Sequence, residues 1–300
     1  MPAVGKRGIL HVLCAAAVLV TAGCSSGEPE RLSYVRPMSP AGSVAQPSVG
    51  ASQAAGQPTG SQPPGASRAG TLPRVVNHGP RAGNKVALTF DADMTTAMKA
   101  QLTSGAVRSY ANLPIIERLE REQIPATFFL TGMWVEQYPD LTGRLAANPR
   151  FELANHSYGH QGFTPNCYSL GRVPSNLMTE DVAKTFRIVE AHGGRQTRYF
   201  RFPGLCHDGA SLSALAPLGL TVVDGDVVSG DPFATAYQPI VRAVLSTVRA
   251  GSVVIMHVTE ANAQYTDEAL PLILAGLADK GLVPATLSEV LGPPPADAGR

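Results

Sequence analysis

The chain has 300 residues, a hydrophobic fraction of 44%, a charged fraction of 16% and a formal net charge of +1. This composition is typical of a globular protein with room for one large domain or two small ones. The near-neutral charge and the lack of long basic runs argue against nucleic acid as a partner.

Residues 1–23 have the pattern of an export signal. Lys6 and Arg7 precede an apolar segment over Ile9–Val20, which is shorter than the ~20 apolar residues that span a bilayer. The chain then reads LVTAGC over residues 19–24, a string that resembles the bacterial lipobox. The resemblance implies cleavage before Cys24 and a lipid on its sulfur, so we expect an extracytoplasmic lipoprotein anchored to the bacterial membrane. An ordinary signal peptide with an incidental cysteine is the alternative.

Residues 24–74 form a segment rich in proline, glycine, serine and alanine. From Pro37 to Pro73 the only charged residue is Arg68. Such a segment buries too little apolar area to offset chain entropy, so we predict a disordered tether. About 37 flexible residues have a root-mean-square reach of ~35 Å, enough to hold a domain away from a membrane. We predict a folded domain over residues 75–292 and a disordered tail over residues 293–300.

Strand-like and helix-like patterns alternate after Val75. Seven strands are predicted, at Val86–Phe90, Ala126–Leu130, Phe151–Asn155, Tyr199–Phe202, Leu220–Val223, Ser252–His257 and Leu282–Ala285. Four helices are predicted between them, at Leu113–Glu122, Thr179–His192, Pro239–Ala250 and Glu268–Lys280. This alternation indicates a parallel sheet covered by helices, either open or closed into a barrel. Catalytic residues are then expected at the C-terminal ends of the strands.

Polar residues collect at those strand ends. In chain order they are Asp91, Asp93, His156, His160, Arg201, Asp226 and His257. Two histidines four residues apart, together with a carboxylate, suit a three-ligand catalytic zinc site. Each signal alone is weak, since an Asp after a strand usually caps a helix and a His at a strand end usually belongs to the core. Their shared position at one edge of one sheet favours a site.

The cysteines are consistent with export. Cys14 lies in the predicted signal and Cys24 at the predicted lipidation site, which leaves Cys167 and Cys206. Outside the cytoplasm such an even pair predicts a disulfide. Two unrelated buried cysteines are the alternative.

Several strings resemble a known family. They are ATFFLTG at residues 126–132, PD at residues 139–140 and ELANHS at residues 152–157, followed by RFP at residues 201–203 and IMH at residues 255–257. In this order they resemble the polysaccharide deacetylases of the NodB-homology type, carbohydrate esterase family 4, from about Lys85 to Leu291. The resemblance implies an α/β fold, a distorted and incomplete (β/α) barrel, and hydrolysis of N-acetyl groups on a glycan.

The resemblance also implies roles for single residues. Asp91 matches the general base, Arg201 matches the residue that pairs with that base, and His257 matches the general acid. His156 and His160 match the metal-binding histidines. The family commonly uses zinc and sometimes cobalt or another divalent ion.

Two departures from the family pattern leave alternatives open. The family has two adjacent aspartates in its first motif, whereas Ala92 separates Asp91 from Asp93 here. Side chains at i and i+2 of a strand share a face, so we expect Asp93 as the third metal ligand. Water beside the two histidines, with Asp93 as a helix cap, is the alternative.

The second departure lies in the fourth motif, where the family has an Asp followed directly by Trp. This chain reads DVVSGDP over residues 226–232. Either aspartate of this string is a candidate for tuning His257, and Asp226 is taken as the catalytic one.

These patterns together predict a monomeric, membrane-anchored glycan deacetylase. Peptidoglycan is the first expected substrate and chito-oligosaccharide the second. An O-acetyl esterase that acts on xylan-like polysaccharide and a catalytically silent glycan-binding lipoprotein are the alternatives.

Overall fold

The computed structural model describes residues 71–292. The predicted signal peptide, the lipidation site at Cys24, the tether up to residue 70 and the predicted tail lie outside these residues. Within them, no helix combines the length and the apolar character that a membrane span requires.

Nine strands form one parallel sheet. They are β1 (Arg74–Val76), β2 (Lys85–Ala92), β3 (Ala126–Leu130), β4 (Phe151–Asn155), β5 (Gln196–Phe200), β6 (Thr221–Val223), β7 (Val227–Val228), β8 (Val253–His257) and β9 (Val283–Ala285). Their order is β1-β6-β5-β4-β3-β2-β8-β7, and β9 pairs with β2. The outermost strands β1 and β7 do not pair with each other in residues 71–292, so the curled sheet is an incomplete barrel, as predicted.

Nine α-helices accompany the strands in the described part of the chain. They are α1 (Thr96–Ser104), α2 (Leu113–Arg121), α3 (Gly132–Gln137), α4 (Pro139–Ala147), α5 (Met178–Glu190), α6 (Gly209–Leu215), α7 (Tyr237–Thr247), α8 (Thr266–Asp279) and α9 (Leu287–Leu291). The four predicted helices correspond to α2, α5, α7 and α8. The other five have only five to nine residues, and a helix of about 1.4 to 2.5 turns repeats its apolar pattern too few times to be recognised.

Successive side chains of β2 face alternately the outer apolar core and the barrel interior. Phe90 and Ala92 are fully buried in the apolar cluster that β2 and β3 form with the surrounding helices. Ala87 belongs to a second cluster, on the opposite face of the sheet. Because successive side chains point to opposite faces, Thr89 and Asp91 lie on the same face as Ala87. The interior face therefore carries the polar residues.

The short helix α9 closes the end of the barrel where the strands begin. The Leu287 amide donates a hydrogen bond to Thr127 Oγ1 at 3.0 Å, and the Ser288 amide donates to Glu152 Oε2 at 3.1 Å. Thr127 and Glu152 are early residues of β3 and β4. The opposite end, where the strands finish, is left for the polar residues.

Candidate active site and metal centre

The strand register brings the polar strand ends together. Asp91 of β2 is the direct cross-strand neighbour of His257, the last residue of β8. His156 directly follows β4, and Arg201 directly follows β5. Asp91, His156 and His257 line a cleft of about 570 Å³ at the C-terminal end of the strands, and Arg201 is fully buried behind Asp91. This is the edge of the sheet at which ligands bind in parallel α/β folds.

Asp93, His156 and His160 form a compact group of metal-binding atoms. Asp93 Oδ1 lies 3.5 Å from His156 Nε2 and 3.3 Å from His160 Nε2. All three ligand atoms lie within 4.8 Å of one another. Two ligands held ~2.0–2.1 Å from one tetrahedral ion are about 3.3–3.4 Å apart, so the two measured distances suit such an ion.

The hydrogen bonds around the group also fit a metal. Asp93 Oδ1 is buried and accepts no hydrogen bond, although buried polar atoms are nearly always bonded. His156 Nδ1 lies 2.9 Å from the Arg201 carbonyl, which can only accept, so Nδ1 carries the proton. The lone pair of His156 Nε2 is thereby directed at Asp93, as in histidines that bind metals.

Burial and mutual charge set the protonation of this group. Burial lowers the pKa of His160 to about 4, although the Asp93 carboxylate acts in the opposite direction. Burial by itself raises the pKa of Asp93, but the facing histidines His160, His156 and His257 lower it well below its ordinary value. At neutral pH the carboxylate is therefore ionised and His160 is neutral, the states that metal binding requires.

A tight turn carries the two histidines. Ser157 and His160 have φ angles of 71° and 51°, in the left-handed region that non-glycine residues rarely adopt. The Gly132 amide donates to the Ser157 carbonyl at 3.1 Å, and the Met133 amide donates to the Tyr158 carbonyl at 2.9 Å. The first amides of α3 thus hold the turn and compensate for its backbone strain.

Asp93 reaches the group because the chain continues in the direction of β2 beyond Ala92. The Ala92 side chain points to the outer core, so Asp91 and Asp93 share the interior face. The Asp93 amide donates to Thr259 Oγ1 at 3.0 Å, which holds the residue in place. The alternative of a helix cap does not apply, since Thr95 caps α1 by accepting from the Met98 amide.

Asp91 is held by a buried arginine. Arg201 Nη1 donates to Asp91 Oδ1 at 2.5 Å, and Arg201 Nε donates to the Val223 carbonyl at 3.0 Å. Arg201 is fully buried, and its guanidinium lies 3.9 Å from the centre of the Phe129 ring. The second oxygen of Asp91 lies 3.7 Å from His156 Nε2 and thus faces the metal group.

His257 is held by Asp231. Its Nδ1 lies 2.8 Å from Asp231 Oδ1, and its backbone amide donates to Asp231 Oδ2 at 2.7 Å. The hydroxyls of Ser229 and Thr266 also donate to this buried carboxylate, each at 2.7 Å. Nδ1 therefore carries a proton, and Nε2 is directed towards Asp93 at 3.8 Å.

Three nearby carboxylates set the charge of His257. Burial by itself lowers the pKa of His257, but Asp231, Asp93 and Asp91 raise it to about 10. The imidazole is therefore protonated at neutral pH, the state that a general acid requires. A cation beside Asp93 would offset part of this increase.

The choice of Asp226 as the residue that tunes His257 is wrong. Asp226 accepts from Arg81 Nη2 at 2.7 Å and from the amide of Val253 at 2.8 Å. Asp226 precedes β7 and lies beside Val253, the first residue of β8. Asp231 follows β7 and lies beside His257, the last residue of β8. The two aspartates are five positions apart in the sequence, and only Asp231 reaches the rim where His257 lies.

A disulfide joins two loops at the rim of the cleft. Cys167 lies after β4 and Cys206 after β5, with their Cα atoms 5.8 Å apart and a sequence separation of 39. The bond connects the segment after the His156/His160 turn to the segment after Arg201. Both segments contribute to the walls of the cleft.

We expect Asp93→Ala to weaken zinc binding by more than about tenfold, because loss of even an indirect metal contact reduces affinity 10- to 100-fold. Ala92→Asp would place a carboxylate in the outer apolar core, so it should lower the unfolding midpoint without tightening zinc binding. Calorimetric titration and thermal unfolding measure both effects. Unchanged zinc affinity in Asp93→Ala would remove this residue from the site.

Replacing both Cys167 and Cys206 by serine should lower the free energy of unfolding by about 3–4 kcal/mol, the loop-closure effect expected for a loop of this length. Guanidinium unfolding of oxidised protein measures the loss, and reductant should produce a similar loss in the wild type only. Two alkylatable thiols in the oxidised wild-type protein would contradict the disulfide.

Comparisons with known proteins agree with the geometry. A polysaccharide deacetylase family profile matches residues 78–223. A chitooligosaccharide deacetylase of Rhizobium leguminosarum bv. trifolii is 30% identical over 183 residues, which are 61% of this chain and 77% of that protein. A peptidoglycan-N-acetylglucosamine deacetylase of Bacillus cereus is 27% identical, with 71% of this chain and 70% of that protein covered.

Other relatives are longer. The chain spans 51% of an uncharacterized Bacillus subtilis protein and 27% of a bifunctional xylanase/deacetylase of Pseudobutyrivibrio xylanivorans. Among solved structures, a family 4 carbohydrate esterase from Streptomyces lividans in complex with acetate is 28% identical. The superposition has a TM-score of 0.56 and covers 71% of this chain and 98% of the esterase. Profile, relatives and fold agree: the chain belongs to the polysaccharide deacetylase family of the NodB-homology type, carbohydrate esterase family 4.

Proposed function

We propose that the protein hydrolyses N-acetyl groups of amino sugars in a cell-surface glycan, with a divalent metal ion as cofactor. One observation carries this proposal. A carboxylate paired with a buried arginine and a histidine paired with a buried carboxylate lie beside the same His₂Asp group. The arrangement supplies a base, an acid and a Lewis-acid site within one cleft.

The chain's own residues account for both proton transfers. Asp91, oriented by Arg201, accepts a proton from the attacking water while the water oxygen bonds to the acetyl carbon. His257, oriented by Asp231, then donates the Nε2 proton to the nitrogen as the carbon–nitrogen bond breaks. The products are acetate and a free amine on the sugar.

Asp93, His156 and His160 would hold the metal. A divalent ion bound there would polarise the acetyl carbonyl and make water a stronger nucleophile at neutral pH. A ligand set of two imidazole nitrogens and one carboxylate oxygen would favour zinc, and cobalt has similar ligand preferences.

We further propose that the glycan is peptidoglycan and that the protein acts outside the cytoplasm as a lipoprotein anchored at Cys24. The export pattern of residues 1–23 and the composition of the tether support this location. The Bacillus cereus relative acts on peptidoglycan by its name. The Rhizobium relative acts on chito-oligosaccharide by its name, which makes that glycan the second candidate.

Acetate release from peptidoglycan, chitopentaose and acetylated xylan, each with and without chelator, tests the proposal. We expect release from peptidoglycan, its loss on chelation and its recovery when zinc is added back. Release from acetylated xylan alone would instead indicate an O-acetyl esterase. Binding of glycan without acetate release from any substrate would indicate a silent glycan-binding protein.

A further inference from the structure

The two most exposed large apolar side chains of residues 71–292 both line the cleft. Phe233 is 81% exposed and Tyr168 is 78% exposed, while the other exposed large apolar side chains range from 42% to 56%. We propose that these two rings form a glycan subsite that packs against pyranose rings next to the unit that loses its acetyl group. This inference rests on the proposed function and assigns the side chains that contact the sugars next to the reacting unit.

The chemistry of a pyranose suits such a pair of rings. The faces of a pyranose ring present C–H groups, whereas its hydroxyls point outward around the edge. An aromatic ring can therefore cover a sugar face without leaving polar groups unpaired. Ligand-binding clefts are lined mainly by apolar and aromatic side chains around a few polar groups, and both rings lie in the lining of this cleft.

Tyr168 is held in place by its neighbours. It follows Cys167 of the disulfide and has a φ of 51°, a conformation that requires support from the surroundings. Its ring packs on the backbone of Gly204, where an added Cβ would lie 3.0 Å from Tyr168 Cδ2 and 2.8 Å from Cys167 Sγ. Any larger residue at position 204 would displace the ring.

Phe233 is fixed relative to His257. It ends the 3₁₀ turn Asp231–Phe233, whose first residue is the carboxylate that binds His257. The Phe233 amide donates to the Gly230 carbonyl at 3.1 Å, and Gly230 has a φ of 71°. The residues that orient the acid therefore also orient this ring.

The sheet order places the two rings on different sides of the reacting groups. Tyr168 belongs to the loop after β4, and Phe233 belongs to the turn after β7. The strands β2 and β8, which carry Asp91 and His257, lie between β4 and β7 in the sheet. A glycan chain that crosses the cleft would thus meet one ring on each side of the unit that reacts.

Steady-state kinetics and direct binding of chitopentaose to zinc-loaded protein test the subsite. We expect Tyr168→Ala and Phe233→Ala each to raise KM about 5- to 20-fold with little change in kcat, because the contact is made equally in ground and transition states. Tyr168→Phe and Phe233→Tyr should keep the wild-type KM. Leu272→Ala, which removes an exposed apolar side chain outside the cleft, is the matched control.

Binding of chitopentaose in the His257→Ala background separates the two proposals. Loss of binding on adding Tyr168→Ala or Phe233→Ala supports the subsite, even if the wild type releases no acetate and the proposed function fails. Acetate release with an unchanged KM in both alanine variants would overturn the subsite and leave the proposed function intact. Failure of the wild type to bind chitopentaose would also overturn it.

Discussion

Replacing His257 by alanine is expected to lower acetate release by ~10²–10⁴-fold, the usual contribution of a general acid. The fold should be retained, because Asp231 loses one donor but keeps the His257 backbone amide and the hydroxyls of Ser229 and Thr266. Three remaining hydrogen bonds still compensate this carboxylate for its burial.

Acetate release at saturating substrate and the guanidinium unfolding midpoint measure the two parts of this prediction. His207→Ala is the matched control, since His207 lies 2.9 Å from Asp224 in a similar pair outside the cleft lining. It should keep turnover within about twofold of the wild type. If His257→Ala retained more than half of the wild-type rate, His257 would not be the acid.

Replacing Asp91 by asparagine should lower both turnover and stability. The loss of the base should reduce the rate ~10²–10⁴-fold. The change also leaves the fully buried Arg201 without its counter-charge, and breaking a buried ion pair in this way costs about 3–5 kcal/mol. This variant should therefore be less stable than His257→Ala.

A double-mutant cycle separates these two effects. Arg201→Met added to Asp91→Asn removes the unpaired charge and should recover part of the stability, while turnover stays low. If Asp91→Asn kept wild-type stability, the ion pair would contribute little to folding. If it kept more than half of the wild-type rate, the role of Asp91 as base would be wrong.

Long elements with a clear repeat could be predicted from the sequence. The bounds of β3 and β4 agree with the prediction: Ala126–Leu130 is apolar apart from Thr127, and in Phe151–Asn155 the apolar Phe151 and Leu153 alternate with Glu152. The strands β1 and β7 were not predicted, since two or three residues show no periodicity. None of the predicted helices covers α1, because Met98 is its buried side chain and one such residue gives only a weak apolar pattern.

The sequence alone determined which residue types stand at the ends of the strands. In a parallel sheet those ends share one edge, so the meeting of Asp91, His156, Arg201 and His257 followed from chain order and the period of two. The tertiary structure decided which groups pair. Asp231 rather than Asp226 binds His257, because this pair depends on strand register and on where the turn after β7 ends, whereas the Arg201–Asp91 pair agrees with the family resemblance. These are properties of contacts between distant segments, and no local pattern in the chain encodes them.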